Sequence, residues 1–142
     1  MSICFLSLET SKIFNDLIVK KLQDEGFEDL TNSLITIFPY IVEFENISIS
    51  NLSLKLGYTR QAMHKNLKRL EQSNYICFES SDNKKEKIVK LTKKGEELIE
   101  VANKYIQEIQ EEIATKLGFK ELNQFIKSQE IIFEILNSKV KN

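Results

Sequence analysis

A chain of 142 residues with 42% hydrophobic and 29% charged side chains is one domain's worth of globular protein, which excludes disordered, collagen-like and mucin-like readings. Four glycines and one proline are too few for the turns of a β-sandwich or barrel, so the chain is expected to be mainly helical. Two distant cysteines (Cys4, Cys77) exclude a disulfide scaffold and one histidine (His64) excludes a His-rich metal site, so neither metal nor cofactor is expected.

No apolar run approaches the roughly 18 residues that span a membrane. The opening stretch Met1–Glu9 has no basic segment and too short an apolar run for a signal peptide, so the expected location is cytoplasmic and no membrane partner is expected. The formal net charge of −1 hides an asymmetry. Residues 55–94 hold eleven basic and four acidic side chains, a net +7, while the rest of the chain carries nine basic and seventeen acidic groups, or −8. A basic island in an acidic chain is the footprint of a polyanion-binding module or, more blandly, the solvated face of a helix.

In chain order, Leu8, Ile13, Phe14, Leu17, Ile18 and Leu22 recur at three- and four-residue spacing and predict a helix over 8–23, ended by Asp24-Glu25-Gly26. Thr31 is the N-cap of a helix over 31–44, in which Pro39 predicts a kink near residues 35–39. Ile47-Ser48-Ile49 reads as a short extended stretch, followed by a helix over 51–56 that Ser50 caps and Gly57 stops. Thr59 caps a helix over 60–73 with Met63, Leu67 and Leu70 inward, and Asn74 supplies its left-handed stop. The period then changes to two: residues 75–79 and 87–91 read as strands around a polar, basic tip, with Cys77 in the core. Thr92 caps a helix over 93–117, Gly118 breaks it, and a last helix covers 120–137.

Helix, tight turn, helix and basic hairpin make a winged helix-turn-helix: mainly α, with a small β-hairpin wing. If Met63, Leu67 and Leu70 face inward, Arg60, Gln61, His64, Lys65 and Lys68 face outward. Arg60 can fork onto guanine and Gln61 onto adenine in the major groove, and His64 can contact DNA beside them. Lys65 and Lys68 suit phosphates, as do the free backbone N–H groups from Thr59 to Ala62. Lys84, Lys85 and Lys87 arm the wing for double-stranded DNA. No nucleophile–base pair, phosphate-binding glycine loop or carboxylate pair stands out, so the chain does not read as an enzyme.

Residues 47–71, ISISNLSLKLGYTRQAMHKNLKRLE, resemble the helix-turn-helix of the MarR family, and residues 88–95, IVKLTKKG, its wing strand and the Leu-Thr-x-x-Gly that opens its long helix. Leu30-Thr31 resembles the family's start of the second helix, and the resemblance runs over about residues 8–137. It implies a homodimeric transcriptional regulator, read as a repressor, that binds a pseudo-palindromic operator and is released by a small effector. The wing departs from the pattern, with Asn83-Lys84-Lys85 where the family carries Asp-x-Arg, so its contact is expected to be mainly with phosphate. Asn74 replaces a glycine, and Pro39 is atypical.

The stretch Ile3-Cys4-Phe5-Leu6 resembles the peroxide-sensing subgroup of that family, which implies redox sensing at Cys4, although Leu8, Ile18 and Asn32 stand where the subgroup has tyrosines. The plainer reading of Cys4 is a small buried apolar residue. Residues 31–95 are expected to form the DNA-binding lobe, and residues 1–30 and 96–142 the dimerisation helices of a single domain. Ile3, Phe5, Leu6, Ile109, Ile113, Phe125, Ile126, Ile131, Ile132 and Phe133 are too many apolar side chains for one face of a monomer. The alternative is a helical dimeric protein-interaction module whose winged helix does not read DNA.

Overall fold

Capping side chains and the single proline decide where the helices begin and end. A computed structural model describes residues 1–83 and 85–141, which fall into two compact units, Met1–Asn103 and Lys104–Asn142. Helix α1 (Ile3–Asp24) begins five residues before its predicted start, because the Ser2 hydroxyl accepts the Phe5 N–H at 3.1 Å. Thr31 caps as expected, accepting the Leu34 N–H at 3.2 Å. The kinked helix predicted over 31–44 is instead two short helices, α2 (Asn32–Ile35) and α3 (Phe38–Glu43). Pro39 sits in the first turn of α3, where its missing N–H costs no helical bond, so the chain restarts rather than bends.

The cap of α4 (Ile49–Leu56) is Ser48, not Ser50: the Ser48 hydroxyl accepts the Asn51 N–H at 3.1 Å. Burial of Ile47 and Ile49 on either side of Ser48 places the helix start there. Gly57 closes α4 at φ 73°, a left-handed conformation that a side chain would strain. Thr59 then caps α5 (Arg60–Gln72) through the Ala62 N–H at 3.1 Å, and Met63, Leu67 and Leu70 have no exposed surface. Each such burial stabilises by about 1.5–3 kcal/mol. Asn74 takes the expected left-handed turn at φ 65°.

Strands β1 (Ile76–Ser80) and β2 (Lys87–Leu91) pair antiparallel, from Ile76 opposite Leu91 to Ser80 opposite Lys87. Cys77 lies on β1 half-buried, not in the core as expected. The hairpin is tied to the helices by a bridge between Ser48 and Ile88 and by the Val89 N–H donating to the Ile47 carbonyl at 2.9 Å. Helix α6 (Lys93–Leu117) starts where the Thr92 hydroxyl accepts the Gly95 N–H at 3.1 Å. Helix α7 (Phe119–Lys141) is longer at its end than predicted. In the first unit α1–α5, the hairpin and the start of α6 share one core. The second unit is the rest of α6 and α7 joined at Gly118, with Ala114 and Leu122 buried.

Tyr75 is the largest side chain with no exposed surface, and its hydroxyl donates to the Glu28 carbonyl at 2.6 Å. Its ring lies edge-on to Phe38, with centroids 6.0 Å apart, and 6.3 Å from Phe27. Burial pushes its phenol from 10.0 up to about 12, helped by the carboxylates of Asp29 and Glu28. The folded state keeps a proton that the unfolded state loses above pH 10.0. Stability that is intact below that pH therefore falls, by on the order of 2–3 kcal/mol, as pH rises towards 12. Denaturation at several pH values checks this: Tyr75→Phe is expected to lack that component of the alkaline loss. An identical alkaline loss in the variant would contradict it.

Candidate nucleic-acid interface

The two ends of α5 are built differently. At its start, Gly57 and the Thr59 cap turn the chain sharply from α4 into α5. The Ala62 N–H, expected to be free for a phosphate, is spent on Thr59, because capping uses the third residue of the helix. The N–H groups of Arg60 and Gln61 remain as donors of the first turn.

Along α5, Thr59, Arg60, Gln61, His64, Lys65 and Lys68 are all exposed, as expected. At about 100° per residue, Gln61, Lys65 and Lys68 stand opposite the buried stripe, and Arg60 and His64 lie on its flank. Arg69, exposed one turn beyond Lys65, belongs to the same surface. It was legible from that spacing but was not among the predicted site residues.

The wing tip is organised by two short polar side chains. The Ser81 hydroxyl donates to Asn83 Oδ1 at 2.6 Å and accepts the Glu86 N–H at 3.2 Å; the Lys85 N–H donates to the same Asn83 oxygen at 3.1 Å. Lys85 and Lys87 are exposed, with Lys87 Nζ 5.9 Å from the Phe78 ring centroid. Lys84, the remaining predicted wing contact, lies outside the described residues.

The basic island is smaller than its count. Lys55 Nζ sits 4.0 Å above the Phe44 ring, Lys90 Nζ donates to Asn46 Oδ1, and Lys94 Nζ donates to the Ser73 carbonyl at 2.9 Å. Those three cations have partners within the fold. Among the described residues, Arg60, Lys65, Lys68, Arg69, Lys85 and Lys87 enter no ion pair.

Two other features bear on function. Cys4 is exposed in the first turn of α1, not buried as its plainer reading has it. A groove of about 540 Å³ lies among α3, β2 and the start of α6; Ile41, Val42 and Ile99 line it together with Glu45, Glu96 and Glu100. Among the described residues no helix is long and apolar enough to cross a membrane.

No protein-family model and no curated protein sequence matches this chain. Solved structures do resemble it closely. Staphylococcus aureus MarR, in complex with salicylate and kanamycin, superposes with a TM-score of 0.75 at 22% identity, over 94% of this chain and 90% of that one. Streptococcus pneumoniae FabT in complex with DNA gives 0.73 at 20% identity, over 96% and 99%. The Staphylococcus aureus MepR–DNA complex gives 0.72 at 19% identity, over 96% and 98%. These likenesses show the fold: the chain shares the winged-helix fold of these structures, mainly α with a two-stranded wing, as its sequence motifs imply.

Proposed function

We propose that the protein is a transcriptional regulator, a repressor, that binds a pseudo-palindromic operator in double-stranded DNA as a homodimer. The observation that carries this reading is the outer face of α5. Gln61, His64, Lys65 and Lys68 are exposed beside Arg60 on a helix whose other face is wholly buried, and among the described residues no acid pairs with the cations there. The fold it shares with DNA-bound FabT and MepR supports the same reading. In it Arg60, Gln61 and His64 read base edges, while Thr59, Lys65, Lys68 and the wing lysines Lys84, Lys85 and Lys87 hold phosphates. The chain acts by binding in the cytoplasm and is assigned no catalysis.

Residues 31–95 serve as the DNA-binding lobe and residues 1–30 and 96–142 as dimerisation helices. Apolar side chains on the terminal helices support the dimer. Ile3, Phe5 and Leu6 on α1 and Phe125, Ile131 and Phe133 on α7 are 50–66% exposed in one chain. Ile109, Ile113, Ile126 and Ile132 are half-buried beside them in sequence. A two-fold pairing of terminal helices covers such surfaces and sets two recognition helices about 34 Å apart, one turn of DNA. A stable monomer in sedimentation at micromolar concentration would contradict it.

A small effector releases the DNA in this reading, and the groove among α3, β2 and α6 has the volume of small-molecule sites. Oxidation of the exposed Cys4 is the second release signal; unchanged DNA affinity after hydroperoxide treatment would dismiss it.

Arg60→Ala tests the assignment of base reading. Titration against the preferred operator and its point variants is expected to show a loss of about 1–3 kcal/mol on the preferred site and relaxed preference at one base pair. Equal weakening on every sequence would make Arg60 a phosphate contact instead.

A further inference from the structure

The carboxyl-terminal end of α5 is already closed by its own backbone. The Ser73 N–H donates to the Arg69 carbonyl at 3.1 Å, the Asn74 N–H to Glu71 at 2.9 Å and the Tyr75 N–H to Leu70 at 2.9 Å. Yet side chains from two other segments also grip it. The Ser73 hydroxyl donates to Asp29 Oδ2 at 3.2 Å across 44 residues, and the Tyr75 hydroxyl donates to the Glu28 carbonyl at 2.6 Å across 47. From the other side, Lys94 Nζ donates to the Ser73 carbonyl at 2.9 Å and lies 4.5 Å above the Tyr75 ring, and the Thr92 hydroxyl donates to the Asn74 carbonyl. Asp29 holds its position at φ 60°, a conformation that a non-glycine residue adopts at a cost.

The gripping segments are the loop that follows α1 and the first turn of α6. Both lead into the helices assigned above to the dimer. The buried stripe of Met63, Leu67 and Leu70 sets how α5 is rotated and how deep it sits. The direction of its far end depends on how the near end is held. Thirteen residues of helix are about 20 Å long, so a tilt of about 10° at the clamped end swings the other by about 3 Å, close to the rise of one base pair.

We infer that Asp29, Tyr75 and Lys94 form a clamp that fixes the direction of α5, and with it the spacing of half-sites that the protein accepts. This rests on the reading of the protein as a dimeric DNA reader. These are positioning residues. Lys94, although part of the basic island, acts here on the helix end and not on phosphate.

The test compares the full-length protein with Lys94→Met and with the double variant Tyr75→Phe/Lys94→Met. Each is titrated against the operator that the wild type enriches from a random duplex pool and against the same operator with one base pair inserted between the half-sites. Wild type is expected to lose about tenfold or more on insertion. The variants are expected to lose less than about threefold, with the salt dependence on the selected operator unchanged because no phosphate contact has gone. If the double variant does not melt cooperatively, Lys94→Met alone carries the comparison.

Equal weakening on both operators would mark a merely structural role and overturn the clamp. So would an unchanged spacing preference, or a salt slope lowered in Lys94→Met, which would make Lys94 a phosphate contact. A wild type that binds no duplex overturns the DNA-binding reading and the clamp together. A wild type that binds, with variants that keep its spacing preference, overturns the clamp alone.

Discussion

Gly95→Ala is expected to destabilise the first unit by about 3 kcal/mol, the upper end of the usual cost of overpacking. A Cβ there would lie 2.1 Å from the Tyr75 carbonyl oxygen and 3.2 Å from Leu91 Cδ2. The side chain of Leu91 can yield, but the carbonyl cannot easily do so. It accepts the Thr92 N–H at 3.1 Å, which ties the end of α5 to the beginning of α6, and the Tyr75 ring is buried against Phe27 and Phe38. Natural domains hold about 5–15 kcal/mol in all, so the loss is a large share. Chemical denaturation of Gly95→Ala beside the exposed control Lys93→Ala measures it. The control is expected to stay within about 0.5 kcal/mol of wild type. A Gly95→Ala midpoint equal to that of the control would contradict the close approach of the two backbones.

The second large effect is ionic. Lys65, Lys68, Lys85 and Lys87 are exposed cations without an acid partner among the described residues, and the proposed homodimer presents each of them twice. Eight phosphate contacts fall within the range for which affinity drops by about 10³-fold or more between about 50 and 200 mM salt, through release of counterions. Lys85→Ala is expected to weaken binding to every sequence alike and to lower the slope of log affinity against log salt by about one per protomer. A helical module that docks on another protein would show a much shallower dependence. Its interface would draw more on apolar contact than on phosphate neutralisation.

The site was legible to the extent that local chemistry dictates it. Gly57, Thr59 and Asn74 each occupy a position where backbone conformation or an unpaired N–H demands that residue type, and all three are where the sequence puts them. Met63, Leu67 and Leu70 declared the buried face of α5, so its outer face followed from helical geometry. Strand β2 and helix α6 match their predicted bounds because Thr92 marks the junction between two hydrophobic periods.

What escaped the sequence depends on contacts between distant segments or on competition between equals. Ser48 and Ser50 are both capping residues, and the burial of Ile47 and Ile49 decided between them. Pro39 marked an interruption but not its form, since a proline inside a helix and one in a first turn read alike. The count of charge over 55–94 treated every cation as available. The fold turns Lys55 onto Phe44, Lys90 onto Asn46 and Lys94 onto Ser73, pairings whose partners lie 11 to 44 residues away and leave no local mark.

In the proposed complex α5 and the wing of two identical chains read one duplex. Selection of bound duplexes from a random pool by the wild-type protein, followed by sequencing, tests it most directly. The expected result is enrichment of a pseudo-palindrome whose half-sites are centred about one helical turn apart, lost at the base pair that Arg60 reads when Arg60→Ala is used. A pool that emerges unenriched, or enriched for a single half-site with no symmetric partner, would contradict it.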